Sequence, residues 1–540
     1  MLLHVQLVDV LSRSITPSEI VIEAGKIKSI LPTDKTCAYF AIMGFIDAHV
    51  HIESSMLVPA EFARLAVVQG TIATVSDPHE IGNVLGIDGV RYMLKNAKQV
   101  PFKFCFGAPS CVPATSFETA GATITLADIK KLFIEDELTY LAEMMNYPAV
   151  IAGDAEAIDK INLAKLLGRQ VDGHAPAVRG ADICAYIAAG ITTDHECITE
   201  AEAREKLELG MKVIIREGSA AKNFEALIGL LPEYPDMMMF CADDKHPDNL
   251  IEGHINHLAK RAVGKGINVF DVLKAACLNP VLHYNLPVGK LQIGDWADIV
   301  LVKDLTDFEV VQTYINGALV AENGKTLLPF LPCEVVNYFE THPKQATDFE
   351  LPAQAGKLRV IEALDGQLVT NPLLFEPKIQ HNKVVSDTER DILKIVVVNR
   401  YKDSLPAIAF VKNFGLKQGA IASSVAHDSH NIIAVGTNDA DICAAINLII
   451  AAKGGISAVS AEVQALLPLP VAGLMSTEDG YTVAQQYIAI DALAKQFGAT
   501  LASPFMTLSF MALLVIPSLK LSDLGLFDGR RFSFTDLWEV

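Results

Sequence analysis

The chain has 540 residues, of which 51% are apolar and 20% charged, and it carries a formal charge of −20. That length exceeds a single hydrophobic core and predicts two or three domains, while the apolar share suits α/β structure with buried parallel strands. The acidic balance argues against nucleic-acid polymers and anionic membranes as partners, since phosphate surfaces need a basic footprint, and leaves a small, nearly neutral substrate.

In chain order, short strands are predicted at residues 5–8, 19–22 and 26–30, with Gly25 at a hairpin position. A matching set lies far downstream, at residues 294–302 and 310–317. Residues 1–40 and 291–345 are therefore expected to pair into one small composite β-sandwich domain, with a second domain inserted between them. From 41 to 290 apolar strands alternate with helical segments, and this region is close to the length of a (β/α)8 barrel. Residues 346–540 read as a C-terminal α/β domain entered through the polar stretch 341–345. Strands are expected there at 358–363 and 395–400, and helices at 439–453 and 482–497.

Within the barrel region, apolar runs close on potential metal ligands: Asp47-Ala48-His49-Val50-His51, Glu143, His174, Asp194-His195 and Asp243. Side chains two apart on a strand share a face, so His49 and His51 aim together, with Asp47 a step further down. Their spread along the chain is what a site at the C-terminal mouth of a parallel barrel requires. Imidazole and carboxylate donors without thiolate suit Mn²⁺, Fe²⁺ or Zn²⁺. His49, His51 and Asp243 would hold one ion, His174 and His195 a second, and Glu143 would bridge them. Two cations sharing a water would generate hydroxide near neutral pH, and Asp243 would accept its proton. Asp244, next to it, is as well suited to a helix cap or a supporting role.

Asp77-Pro78-His79-Glu80 closes the second barrel strand and carries three polar groups into the same mouth. Asp77, His79 and Glu80 are the expected substrate-binding residues, and Glu80 is placed to hydrogen-bond a substrate ring nitrogen or pass a proton to it. A turn with a capped helix is the plainer alternative. Residues 423–431 gather His427, Asp428 and His430, which read as a polar loop between strand and helix, with a contribution to the active site across a domain interface as the alternative.

Nine cysteines without a Cys-x-x-Cys pair predict reduced thiols in a cytoplasmic protein. The first residues turn polar too early for a secretory signal, and the greasiest stretch, 505–516, is too short to span a bilayer. The apolar content also favours a homo-oligomer.

The strings Gly44–Met56, Asp77-Pro78-His79-Glu80-Ile81, Asp172-Gly173-His174-Ala175-Pro176, Asp194-His195-Glu196-Cys197 and Cys241–Pro247 resemble the adenine deaminase family of the amidohydrolase superfamily, nearly end to end. The resemblance implies a TIM-type metal-dependent hydrolase barrel and a C-terminal domain of the adenine deaminase type. It implies deamination of adenine to hypoxanthine and ammonia, in purine salvage, by hydroxide attacking C6. Two divalent metal ions, usually manganese, would be held by His49, His51, Glu143, His174, His195 and Asp243. Met43 departs from the Pro usual at that place. An amidohydrolase acting on another aminopurine or a cyclic amide is the first alternative; cyclic-amide relatives usually bridge their metals with a modified lysine where Glu143 stands. The zinc deaminase class needs Pro-Cys-x-x-Cys, and Pro332-Cys333 lacks the second cysteine. A non-catalytic barrel scaffold would have lost a ligand, and every position is filled.

Overall fold

The structure, a computed structural model, describes residues 1–539. β1 (Leu2–Asp9), β2 (Ser14–Glu23) and β3 (Lys26–Pro32) form an antiparallel meander. The β2–β3 turn is Ala24-Gly25, both residues at positive φ (50° and 78°), as a two-residue type I′ hairpin requires. β4 (Phe40–Met43) pairs with β1, so Ala41, Ile42 and Met43, counted above with the barrel, belong to the small sheet.

Eight parallel strands follow: β5 (Phe45–Val50), β6 (Thr71–Ser76), β7 (Lys103–Ala108), β8 (Tyr140–Met144), β9 (Gln170–Gly173), β10 (Thr193–Asp194), β11 (Lys212–Arg216) and β12 (Met238–Cys241). Helical segments separate every pair of successive strands, among them Pro59–Ala66, Leu126–Ile134 and Ala155–Leu166. The strands are nearly continuous apolar runs because helices cover the outside and packed side chains fill the inside. Thr192 N–H donates to Val171 O (2.9 Å), joining the fifth and sixth strands. At the other seam Asp243 N–H donates to His49 O (3.0 Å) and His51 N–H to Asp243 O (3.3 Å), closing the ring.

β13 (Ile299–Val302), β14 (Val310–Ile315), β15 (Ala318–Glu322) and β16 (Lys325–Thr326) complete the small sheet. Its order is β16-β15-β14-β13-β4-β1-β2-β3, one hydrogen-bonded sheet built from both sides of the inserted barrel. Lys103 Nζ on β7 meets the buried Asp298 at 2.5 Å, and that carboxylate also accepts Gly289 N–H and Asn316 N–H at 2.8 Å. Residues 327–345 leave this sheet. They run past the barrel as a strap, where Arg64 donates to Leu328 O and Tyr92 to Glu334 O, and reach the C-terminal domain where Glu340 N–H donates to Arg400 O.

The C-terminal domain is built on a nine-stranded sheet whose central strands include Ile392–Val398, Ile432–Gly436, Ala420–Ser423 and Gly455–Val459. Val396, Val398, Ile432 and Ala434 face the helix Asp439–Ala452, whose N-terminus Asn438 caps. Ile395, Val397, Ile433 and Val435 point the other way, into the core that also holds the barrel. Alternation along each strand therefore buries both faces. The second long helix, Gly480–Gln496, packs on the barrel helix Pro247–Glu252. No helix among the described residues is long and apolar enough to cross a membrane.

The turns Ala24-Gly25 and Asn316-Gly317 pack back to back. A Cβ on Gly317 (φ 75°) would lie 3.0 Å from Gly25 Cα. Gly317→Ala is expected to cost about 1–2 kcal/mol from the left-handed backbone alone, seen as a lower thermal midpoint with metal content unchanged.

Candidate active site and metal centre

The eight strand ends converge on a fully buried cluster. His49 and His51, two apart on β5, present Nε2 atoms 3.2 Å from each other. Glu143, at the end of β8, lies between two pairs of imidazoles. Its Oε1 is 3.2 Å from His51 Nε2 and 3.8 Å from His49 Nε2, and its Oε2 is 2.7 Å from His174 Nδ1 and 3.3 Å from His195 Nε2. Asp243 Oδ1 is 3.4 Å from His49 Nε2 and 3.2 Å from His51 Nε2. The structure thus brings all six expected ligands together, with the Glu143 carboxylate spanning the two imidazole pairs. Asp244 accepts Ser54 Oγ–H at 2.5 Å, and its carboxylate stands beside His51 and Asp243 at the edge of the cluster.

The donor set suits divalent metal on chemical grounds. His51 Nδ1 donates to Asp77 O (3.1 Å), which leaves Nε2 as a lone pair facing the centre. Lone pairs and carboxylate oxygens this close repel unless a cation lies among them. Burial alone would push the Glu143 and Asp243 carboxyls up. Facing imidazoles hold Glu143 well below the usual range, and Arg216 with His49 and His51 does the same for Asp243.

Neighbouring groups fix each ligand. Asp47, expected low on the His49 face, is not in the cluster: Oδ2 lies 2.8 Å from His254 Nε2 and Oδ1 accepts Ala242 N–H at 2.9 Å. Tyr186 Oη accepts His174 N–H (3.1 Å) and donates to Met144 O (2.7 Å). Lys206, fully buried, donates to Asp194 Oδ2, Glu202 Oε1 and Ala175 O, each at 2.8 Å, locking the segments that carry His174 and His195. Arg216, at the end of β11, donates to Asp243 Oδ2 (2.9 Å) and grips Glu196 with both terminal nitrogens. Arg216, Lys206 and His254 were not singled out from sequence. Arg216 carried the same signal as the ligands, a polar residue closing an apolar run, but its partners lie on other strands.

Asp77, His79 and Glu80 stand beside this centre. His79 Nδ1 is 3.0 Å from Asp77 Oδ2 and 3.6 Å from Glu143 Oε1. The loop 423–431, expected to be an ordinary connector, reaches the same place. His427 Nδ1 is 2.6 Å from Glu80 Oε1, His430 Nε2 contacts Glu80 Oε2, and Asp428 Oδ1 is 3.7 Å from His79 Nε2. The cavity above the cluster is walled on one side by these polar groups and on the other by Met145, Leu368, Phe510 and Leu513. Three of those four apolar residues come from the C-terminal domain.

Residues 40–320 match the amidohydrolase family, and residues 367–533 match the adenine deaminase C-terminal domain. The chain is 54% identical to an adenine deaminase of Sulfurovum sp. over 530 residues, covering 98% of each chain. It is 52% identical to one of Salinibacter ruber over 533 residues, again covering 98% of both. Among solved structures, a β-aspartyl dipeptidase from Fervidobacterium islandicum AW-1 aligns with a TM-score of 0.47 at 14% identity, covering 60% of this chain and 98% of that one.

Replacing Arg216 with Met would leave Glu196 and Asp243 buried without their cation. The expected results are a loss of about 3–5 kcal/mol in stability and metal affinity weakened about 10–100-fold. Thermal denaturation and chelator competition measure the two.

Proposed function

The chain belongs to the adenine deaminase family of metal-dependent amidohydrolases, and from that premise we propose how its residues divide the work. It is a hydrolytic deaminase that converts adenine and water to hypoxanthine and ammonia. His49, His51 and Asp243 hold one divalent ion, His174 and His195 a second, with Glu143 between them. Mn²⁺ is the ion we assign, and Fe²⁺ or Zn²⁺ would suit the same donors. Divalent ions held by these residues would supply the Lewis acidity that makes water nucleophilic near neutral pH.

The chain's own groups do the rest. Asp243 Oδ1, on the imidazole side, takes the proton of the attacking water and passes it to the departing amino group. Its Oδ2 remains on Arg216 throughout, which keeps the carboxylate aimed. Asp77 holds His79 by its ring nitrogen, and the His79–Glu80 wall of the cavity faces the nitrogen-bearing edge of the purine. Met145, Leu368, Phe510 and Leu513 cover its flat, apolar face and exclude bulk water. We place the enzyme in purine salvage in the cytoplasm, with a free purine and neither nucleic acid nor membrane as its partner. Nine unpaired cysteines, most of them buried, support a reducing compartment.

The observation that carries the chemistry is the Glu143 carboxylate, one oxygen toward His49 and His51 and the other toward His174 and His195. Ammonia release from adenine tests the reading. Chelated enzyme should be inactive and recover with about two equivalents of Mn²⁺ per chain, whereas a His49→Ala His51→Ala variant should neither retain metal nor recover. Activity surviving in that variant would remove the site assignment. A fully metallated enzyme that leaves adenine untouched would remove the substrate.

A further inference from the structure

Glu80 faces an imidazole at each carboxylate oxygen, and that limits what it can do. His430 Nδ1 accepts Ala426 N–H at 3.3 Å, so its Nε2 carries the hydrogen, and that nitrogen lies against Glu80 Oε2. His427 Nδ1 donates to Glu80 Oε1 at 2.6 Å. A carboxylate held by two imidazole N–H groups is a poor proton donor. Burial would raise it, but His427, His430 and His79 keep it well below the carboxylate range.

The opposite end of the His427 ring is free. Its Nε2 is buried, has no hydrogen-bond partner, and lies on the cavity wall 3.8 Å from Asp244 Oδ1. The ring cannot turn away, because Phe510 stacks on it with centroids 4.6 Å apart and planes at 15°. Phe510 is itself tethered: the buried Lys520 Nζ donates to Phe510 O (2.8 Å) and to Leu368 O (2.7 Å). Tyr401 Oη–H donates to Ser429 O (2.6 Å), fixing the loop from the other side.

Resting on the deaminase reading, we propose that His427, not Glu80, protonates the purine ring nitrogen beside C6, with Glu80 and His430 as the residues that position it. As the oxygen of water bonds to C6, the C6–N1 double bond opens and N1 takes the Nε2 proton of the imidazolium. The hydroxyl proton then travels through Asp243 to the amino group. The C6–N6 bond breaks, ammonia leaves, and the C6 carbonyl forms with N1–H retained in hypoxanthine. The proton lost by the next water as it becomes the nucleophile recharges His427. An imidazole pinned at one nitrogen by a carboxylate and free at the other is the arrangement a general acid needs.

The charged and titratable groups facing this ring are Glu80, Asp244 and Asp428, with His430 and His246 beyond them. Burial disfavours the cation, yet the acidic neighbours, led by Glu80, push His427 up to about 9. The acid form is therefore present below that pH and is lost as pH rises through it.

The test compares metal-loaded wild type, His427→Gln and Glu80→Gln by kcat, pH profile and metal content. His427→Gln should lower kcat about 100-fold or more with metal content kept, and should lose the alkaline limb of kcat/KM. Glu80→Gln should keep that limb but move it down by about one unit or more, since the carboxylate supporting the imidazolium is gone. Three results would overturn the assignment. They are His427→Gln within about threefold of wild type, an alkaline limb unmoved or abolished in Glu80→Gln, or a third metal ion per chain lost in His430→Gln. The Glu80→Gln arm decides the question even if His427→Gln fails to fold. Wild-type enzyme that releases no ammonia from adenine would instead strike the deaminase reading itself.

Discussion

Barrel closure and ligand placement are one interaction in this protein. The first and eighth strands meet through backbone hydrogen bonds between His49, His51 and Asp243, the same residues whose side chains form one half of the candidate metal centre. A register slip of one residue at this seam would turn His49 and His51 to the outer face and open the ring at once. Asp243 sits at φ 57°, a left-handed conformation that Asp tolerates better than most residues. Asp47 ties the seam a second time, accepting from Ala242 N–H while facing His254. Its carboxylate belongs to the seam, one layer beneath the metal ligands.

The C-terminal domain depends on that frame and contributes to it in return. Its sheet buries one face under its own helix and the other in the core shared with the barrel, which explains why Ile392–Val398 is apolar at every position but Lys394, whose Nζ donates to Phe349 O. Each such buried aliphatic side chain contributes about 1.5–3 kcal/mol, so the two domains are joined by packing and not by a tether. The strap 327–345 adds polar ties along the route. That rigidity is what allows the loop 423–431 to meet Glu80 at hydrogen-bond distance.

The ligand set was legible in sequence because each ligand ends an apolar run, and strand ends in a parallel barrel point to one mouth. His49 and His51 were readable as a pair through the period of two. The long C-terminal helix, expected at 439–453, runs Asp439–Ala452, one residue shorter. What could not be read were relations between distant segments. Phe40–Met43 runs straight into β5, so nothing local marks its departure to the small sheet. The strap has neither helical nor strand periodicity. Residues 423–431 carry the same polar signature as any connector, and only the packed sheet beneath them brings His427 and His430 to the barrel.

The electrostatics of the mouth follow from the same geometry. Asp77, Glu80, Glu143, Glu196, Asp243, Asp244 and Asp428 are all buried around one cavity, and Arg216 is the one guanidinium among them. Imidazoles meet several of these carboxylates, but His51 spends one nitrogen on a backbone carbonyl and aims a lone pair inward. Buried charge on this scale is tolerated only where opposite charge is close. The donor geometry therefore points to cations at the Glu143 side of the cavity, while at the Glu80 side the C-terminal histidines supply the positive charge. The two halves of the site meet their carboxylates differently: the barrel with imidazoles and Arg216, and the added domain with His427 and His430.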